Sequence, residues 1–500
     1  MKLFGYCIVL VCLVGMGLIL MGGHSCDSSK KLIPSRGNSW SRGLVQIKGG
    51  ASKGYILFSP LLSTTTYLLD KKGEVVHTWE SDFAPGASVY LLDNGNLLRA
   101  ARQPNAPTFH GGGLGGRIQE FNWDGTLIWD WVIASEKRLQ HHDIEPLPNG
   151  NVLLIVWEHK TSREAIQAGR RPNRVGPAGL WSDCILEIQP HRPNKGRIVW
   201  EWHLWDHLIQ DFNPRVENYG KISEHPELID VNGDREPEPM TNKQLQRLKT
   251  LGYLSAGTKK ADLAPDFTHT NAIAYNPQLD QIALSVLTFN EIWIIDHSTT
   301  FKEAAGHTGG KRGKGGDLLY RWGNPRVYRR GTKKDQQLFA QHDVRWISRD
   351  YPGAGNMMVF NNGTGRPEGR YSSVIEIEMP VDTNGHYSIR AGARFGPDKP
   401  IWEYTAPNKR VFFADFISGA HRLINGNTFI CSGPRGRFFE VTTNGDIVWQ
   451  YENPYSGHAP NPAGDPPYSV FRAAHIPPDH PALVNRNLKP LDPQPPYLRR

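Results

Sequence analysis

Three short phrases in this 500-residue chain carry histidine just ahead of a tight turn: HHDIEPLPNGN (141–151), HTNAIAYNPQLDQ (269–281) and QHDVRWISRDYPGAGN (341–356). Aligned on Asp143, Asn271 and Asp343, they place His142 and His342 in one register and His141 and His269 in the register before. A neutral imidazole is a competent nucleophile near pH 7, and a second imidazole can give a proton to a leaving group and take one from an acceptor. The Asn271 amide can donate to an oxygen on which charge develops. Asp343 follows His342 directly, and neighbours on a strand point to opposite faces, so it reads as a structural or second-blade partner. The same histidines also suit a divalent metal, or hydrogen bonding that locks neighbouring repeats together.

These phrases need elements that bring them to one place. A recurring unit supplies them: an apolar strand, a Gly or Asp turn, a few apolar residues and a Trp. It runs through LLDKKGEVVHTW (68–79), EFNWDGTLIWDW (120–131), EIQPHRPNKGRIVWEW (187–202), GDLLYRW (316–322), 376–404 and EVTTNGDIVWQY (440–451). The histidine phrases sit between copies, as strands leading into turns. Asn-Gly at 94–95, 149–150 and 425–426 supplies the positive φ of tight hairpins. Six copies point to an all-β protein, a six-bladed β-propeller closed on itself so that no edge is left open. If each histidine strand is the innermost of its blade, the rings converge at one mouth of a central channel.

Residues 51–480 are read as this propeller. The long gap between Trp200 and Trp322 holds an insertion, 203–265. Within it Leu245, Leu248, Leu251 and Leu254 form a helical stripe, opened by a Thr241–Gln244 capping box, that is expected to pack over one rim. FHGGGLGG (109–116) reads as a mobile rim loop and VFNNGTGRPEGR (359–370) as a long loop at the channel mouth. DVNGD (230–234) lacks the distal Glu of a calcium loop and reads as a turn. The first strand is expected near Gly54–Phe58, and the Pro-rich stretch from 474, with 481–500 as its tail, is expected to wrap the outside.

Lys2 and the apolar run 3–21 form a signal peptide or an uncleaved membrane anchor (1–26), followed by a Ser-, Lys- and Gly-rich tether (27–50). Export, to the periplasm or the cell surface, rests on this leader. GHS before Cys26 makes a poor lipidation motif. Of five cysteines only Cys184 and Cys431 lie beyond the leader, enough for one disulfide or for two buried small apolar residues. Net charge is +8, but the basic runs 311–314 and 329–334 lie in Gly-rich loops, and no nucleic-acid motif accompanies them.

The combination of HHDIEPLPNGN, DFTHTN (266–271), QHDVRW (341–346), MVFNNG (358–363) and HRLINGNTFICSGPRGRFFEVTTNGDIVWQY (421–451) resembles the bacterial arylsulfate sulfotransferases over most of 54–480. The resemblance implies a periplasmic six-bladed propeller that moves a sulfuryl group from a phenolic sulfate ester to a phenol, with no nucleotide donor or other cofactor. It implies His342 as the transiently sulfated residue, His269 and Asn271 as the family's His-x-Asn pair, and His142, or alternatively His141, as a further site histidine. The family's Arg falls at Leu287, and none of Arg345, Arg366, Arg370, Arg435 and Arg437 holds its register. Two other readings fit the residues: a catalytically silent propeller that binds a partner or glycan at the cell surface, and a histidine-ligated metal-dependent lyase or hydrolase.

Overall fold

A computed structural model describes residues 42–106, 108–235, 240–457 and 467–496. The leader, Cys26 and the tether up to residue 41 lie outside these residues. Six antiparallel sheets form a β-propeller. The innermost strands of the second to sixth blades are Pro85–Leu91, Arg138–Pro146, Thr270–Asn276, His342–Trp346 and Gly419–Arg422. Each leads a four-stranded meander outwards, and each packs beside the innermost strands of its neighbours. The first blade takes its innermost strand from the other end of the chain. Val470–Ile476 pairs with Tyr55–Pro60, so the irregular tail expected from 474 begins only after this strand. That pairing fastens the ring shut.

The sixth blade gains a fifth, outer strand, Gly43–Ile47, from the stretch read as tether. Beyond Ile476 the chain does wrap the outside: Leu491 N–H donates to Val75 O, and the Arg486 guanidinium lies over Trp123.

The repeated Trp has one job in all six blades. Its indole N–H donates to the next blade: Trp79 to Asn122 O, Trp129 to Lys195 O, Trp200 to Thr299 Oγ1, Trp322 to Pro397 O, Trp402 to Thr443 O, and Trp449 back to Lys71 O. The rings fill the wedges between blades while their one polar atom is satisfied. Gly95, Gly150 and Gly426 take the expected positive φ at their hairpin turns. Cys184 and Cys431 are buried, unpaired thiols on the third and sixth blades.

The insertion contains the expected helix, Asn242–Thr250, with both hydrogen bonds of its Thr241–Gln244 box. Leu245, Leu248, Leu251 and Leu254 pack on Leu61, Ala87, Phe416 and Phe471. These partners come from the sixth, first and second blades, at the end of the channel where the inner strands begin. DVNGD is a turn gripped by arginines, Asp234 pairing with Arg170 and Arg174.

Candidate active site

Every innermost strand from the second to the fifth blade carries a register shift near its start: between Pro85 and Val89, opposite Leu154–Val156, between Thr270 and Ala272, and between His342 and Arg345. Such bulges re-aim side chains. His142 and Asp343 fall within such shifts, while His269 and Ser418 directly precede their strands. All four have left-handed backbones, φ 52°, 54°, 49° and 90° in that order.

Two of the side chains meet. The His142 and His269 ring centroids lie 4.5 Å apart. Both Nε2 atoms point at one oxygen, the Tyr253 hydroxyl, at 3.0 and 3.1 Å. Tyr253 comes from the turn after the insertion helix. It was not a sequence candidate, because its only visible context was a leucine stripe. Behind each ring stands a carboxylate. His269 Nδ1 bonds Asp266; His142 Nδ1 lies 2.8 Å from His141 Nδ1, and His141 Nε2 lies 3.0 Å from Asp183. Trp157 stacks on His141 at 3.9 Å and donates to Asp266.

The line Asp183–His141–His142–Tyr253–His269–Asp266 therefore joins six groups through five hydrogen bonds. Five bonds need five protons. With both carboxylates ionised, three neutral imidazoles and one phenol supply four. The line is complete only when it holds one further proton. Burial, with His269, His141 and His342 around it, drives the His142 pKa well below the ordinary value. His142 is therefore a poor place for the extra proton, and moving a proton from one end of the line to the other passes it through the hydroxyl.

His342 is prepared differently. Asn362 Nδ2 donates to Ala414 O and Ile417 O, which turns its Oδ1 towards His342 Nδ1 at 2.9 Å. His342 must then carry its proton on Nδ1, leaving the Nε2 lone pair free to react. Burial lowers its pKa to about 3, so the ring is neutral at physiological pH. Nε2 accepts from the Ile417 N–H at 3.2 Å. Ile417 and Ser418 are consecutive left-handed residues, which is what aims this N–H inwards.

Of the remaining sequence candidates, Asn271 donates to Gln341 O and so steadies the strand leading to His342; its own Oδ1 is buried without a partner. Asp343 is the interblade partner expected, accepting from Ala420 N–H and pairing with Arg345 and Arg472. His421 is not in the cluster: it lies at the other end of the channel. Leu287, at the Arg position, occupies a turn whose N–H reaches His269 O. Among the described residues the guanidinium that acts on Tyr253 is Arg102, which donates to the neighbouring Gly252 O.

FHGGGLGG is part of the site rather than a free rim loop. A Cβ on Gly112 would stand 2.2 Å from the Tyr253 ring, and one on Gly113 2.3 Å from His142. Neither can bear a side chain while the cluster is assembled. Among the described residues, the two His, Cys and acid groups close enough to hold a metal are Glu158–Cys184–His203 and His207–His307–Asp317, neither of which includes a residue of the histidine line.

The sequence model of the arylsulfotransferase (ASST) family matches residues 52–453, and this chain belongs to that family. Membership of this family supports an aryl-sulfotransferase-like function. Similar solved structures include a protein of unknown function from Bacteroides caccae, with 11% identity, 85% of this chain and 99% of that one covered, and a TM-score of 0.42. A catalytically inactive virginiamycin B lyase from Staphylococcus aureus with quinupristin shows 10% identity, coverage of 85% and 92%, and a TM-score of 0.35. No curated protein matches the chain significantly.

Proposed function

We propose that this protein moves a sulfuryl group from an aryl sulfate ester to a phenol by way of His342. What carries the reading is the pair His142 and His269, whose Nε2 atoms converge on a single phenolic oxygen within electrostatic reach of the neutral, tautomer-fixed His342. That is the arrangement in which a phenol oxygen can gain or lose a proton while a sulfuryl group moves.

In the first half-reaction His342 Nε2 attacks sulfur and the S–O bond to the aryl group breaks. The departing phenolate takes the extra proton of the histidine line. His342 keeps its Nδ1 proton, donated to Asn362, and so becomes an N-sulfonated imidazolium. The Ile417 N–H, displaced from the nitrogen, is placed to donate to a sulfuryl oxygen. In the second half-reaction an acceptor phenol gives its proton back to the line, its oxygen attacks sulfur, and the N–S bond breaks. Sulfuryl transfer is mainly positioning and electrostatics, so the missing Arg at Leu287 weakens the site by about 1.5–3 kcal/mol, the worth of one charge-assisted contact, without removing the route. The apolar leader 1–26 supports a reading in which this reaction runs outside the cytoplasm.

The test offers 4-nitrophenyl sulfate with phenol to the wild type, His342→Ala, Tyr253→Ala and Leu287→Arg. Release of 4-nitrophenol, label on His342 and loss of both in His342→Ala are expected, with a faster Leu287→Arg enzyme. If neither the wild type nor Tyr253→Ala releases 4-nitrophenol or labels His342, the reading is wrong. Tight stoichiometric metal in the purified protein would favour the metal-dependent alternative.

A further inference from the structure

Tyr253 occupies the place that an acceptor phenol would need. Its oxygen lies within hydrogen-bond distance of both Nε2 atoms, and its ring is enclosed by Gly112, Phe416 and the apolar cluster of the insertion. Packing alone does not explain the hydroxyl. A Phe would fill the same apolar cluster, and a buried hydroxyl is favourable only where it is hydrogen-bonded. Here it completes the proton line, and the line has no continuity without it.

Two further contacts hold this turn on the channel mouth: Ser469 Oγ donates to Leu251 O at 2.6 Å, and Arg102 donates to Gly252 O. Both address the backbone immediately before Tyr253. The chain has built a fixed seat for one phenol and filled it with its own.

We propose that Tyr253 is an internal acceptor, sulfated on Oη by its own chain. The proposal rests on the sulfuryl-transfer reading of His342. A two-step reaction fills the seat twice, first with the aryl group of the donor and then with an acceptor. The turn Leu251–Leu254 leaves the seat for the donor and returns to it for the second step. In that step the His342 Nε2–S bond breaks and the Tyr253 Oη–S bond forms. The tyrosyl proton passes to His269 or His142, and His342 regains its Nε2 lone pair. The sum is aryl sulfate plus tyrosine giving phenol plus tyrosine O-sulfate, with no oxidant or cofactor. A sulfated Tyr253 carries added bulk and a negative charge, and the close contact of Gly112 leaves no room for either. Modification therefore expels the turn and opens the site to other phenols.

The full chain is incubated with 4-nitrophenyl sulfate and no added phenol, then mapped by mass spectrometry at neutral pH. A burst of about two equivalents of 4-nitrophenol per chain is expected, with one SO3 on Tyr253 and a second held on the regenerated His342. Tyr253→Phe, with no internal acceptor, should stop at about one equivalent, held on His342. The opposing results are separable. If the wild type sulfates added phenol yet Tyr253 stays unmodified with and without phenol, the internal acceptor is overturned and the transferase reading stands. A silent wild type beside an active Tyr253→Ala enzyme makes Tyr253 a plug and equally overturns its acceptor role. If no variant forms 4-nitrophenol or labels His342, both fall together.

Discussion

The two ends of the central channel are built from the same six strands and treat water in opposite ways. Where the strands begin, the histidines, the glycine loop and Tyr253 close a site in which His142 and His342 have almost no exposed surface. Where the strands end, a cavity of about 740 Å³ is lined by Tyr90, Glu145, Tyr275, Arg345, Arg349 and His421. Between them Arg472, from the closing strand, bridges Asp143 of the third blade and Asp343 of the fifth, and the Tyr90 hydroxyl donates to Asp143. One end has imidazoles whose nitrogens are individually assigned by their neighbours. The other has polar groups around an open space. Assigned hydrogen bonds, more than the number of titratable groups, mark the end equipped for proton and group transfer.

The largest contrast should come from removing one imidazole at each end. His342→Ala should lower transfer between 4-nitrophenyl sulfate and phenol by at least about 10³-fold, as loss of a nucleophile does elsewhere. His421→Ala should leave the rate within about twofold. Comparable losses from both would mean that the open end, too, takes part in transfer. Next comes the layer between the ends. Arg472→Met leaves Asp143 and Asp343 buried without their shared cation. It should cost about 3–5 kcal/mol in denaturant unfolding, a loss that Arg472→Lys should partly restore. An unchanged midpoint for Arg472→Met would show that the ring does not depend on this bridge. His269→Ala, which cuts the proton line but spares His342, should slow turnover by about 10²–10⁴-fold. The loss should shrink for donors whose phenols leave readily without a proton, and an equal loss for every donor would argue that His269 only holds Tyr253 in place.

Much of this architecture was legible in the chain. The turn residues and the spaced Trp repeat report a local rule, a hairpin every few tens of residues, and the rule is visible because each copy obeys it independently. The insertion helix was legible for the same reason: its cap and its leucines lie within one short segment. What could not be read is whatever arrives from far away. Val470–Ile476 looks like any short strand, and only ring closure makes it the innermost of the first blade. Arg472 carries no signal until that strand is in place. Asn362 sat inside a quoted phrase, but its role depends on two carbonyls more than 50 residues downstream. The histidines were visible, but which residues face each other around them was not, because a bulge changes facing without changing the spacing. Tyr253 was hidden by its surroundings: a tyrosine among leucines reads as packing until its hydroxyl is seen between two imidazoles.

The smallest expected effect lies at the open end and is a matter of pH. Burial raises the Glu145 pKa to about 7, against the opposing pull of Arg345 and Arg472. A carboxyl raised in this way is held protonated by the folded chain between pH ~4.5 and ~7, where the unfolded chain has already released its proton. Unfolding in that window releases a proton, so this group's contribution to stability falls as pH rises and is fully lost above ~7. Glu145→Gln cannot ionise. Measured from pH 5 to pH 8, its stability relative to wild type should therefore improve, by at most about 3 kcal/mol and by less if the cavity admits water to the carboxylate. The sealed end should not share this dependence through His342. Its folded pKa of about 3 lies below the ordinary histidine value, so its neutral ring favours folding above pH ~6.5 and loses that advantage as pH falls towards 3. One end of the channel thus favours the folded state at acid pH and the other at neutral pH. A Glu145→Gln curve parallel to wild type across pH 5–8 would break that opposition.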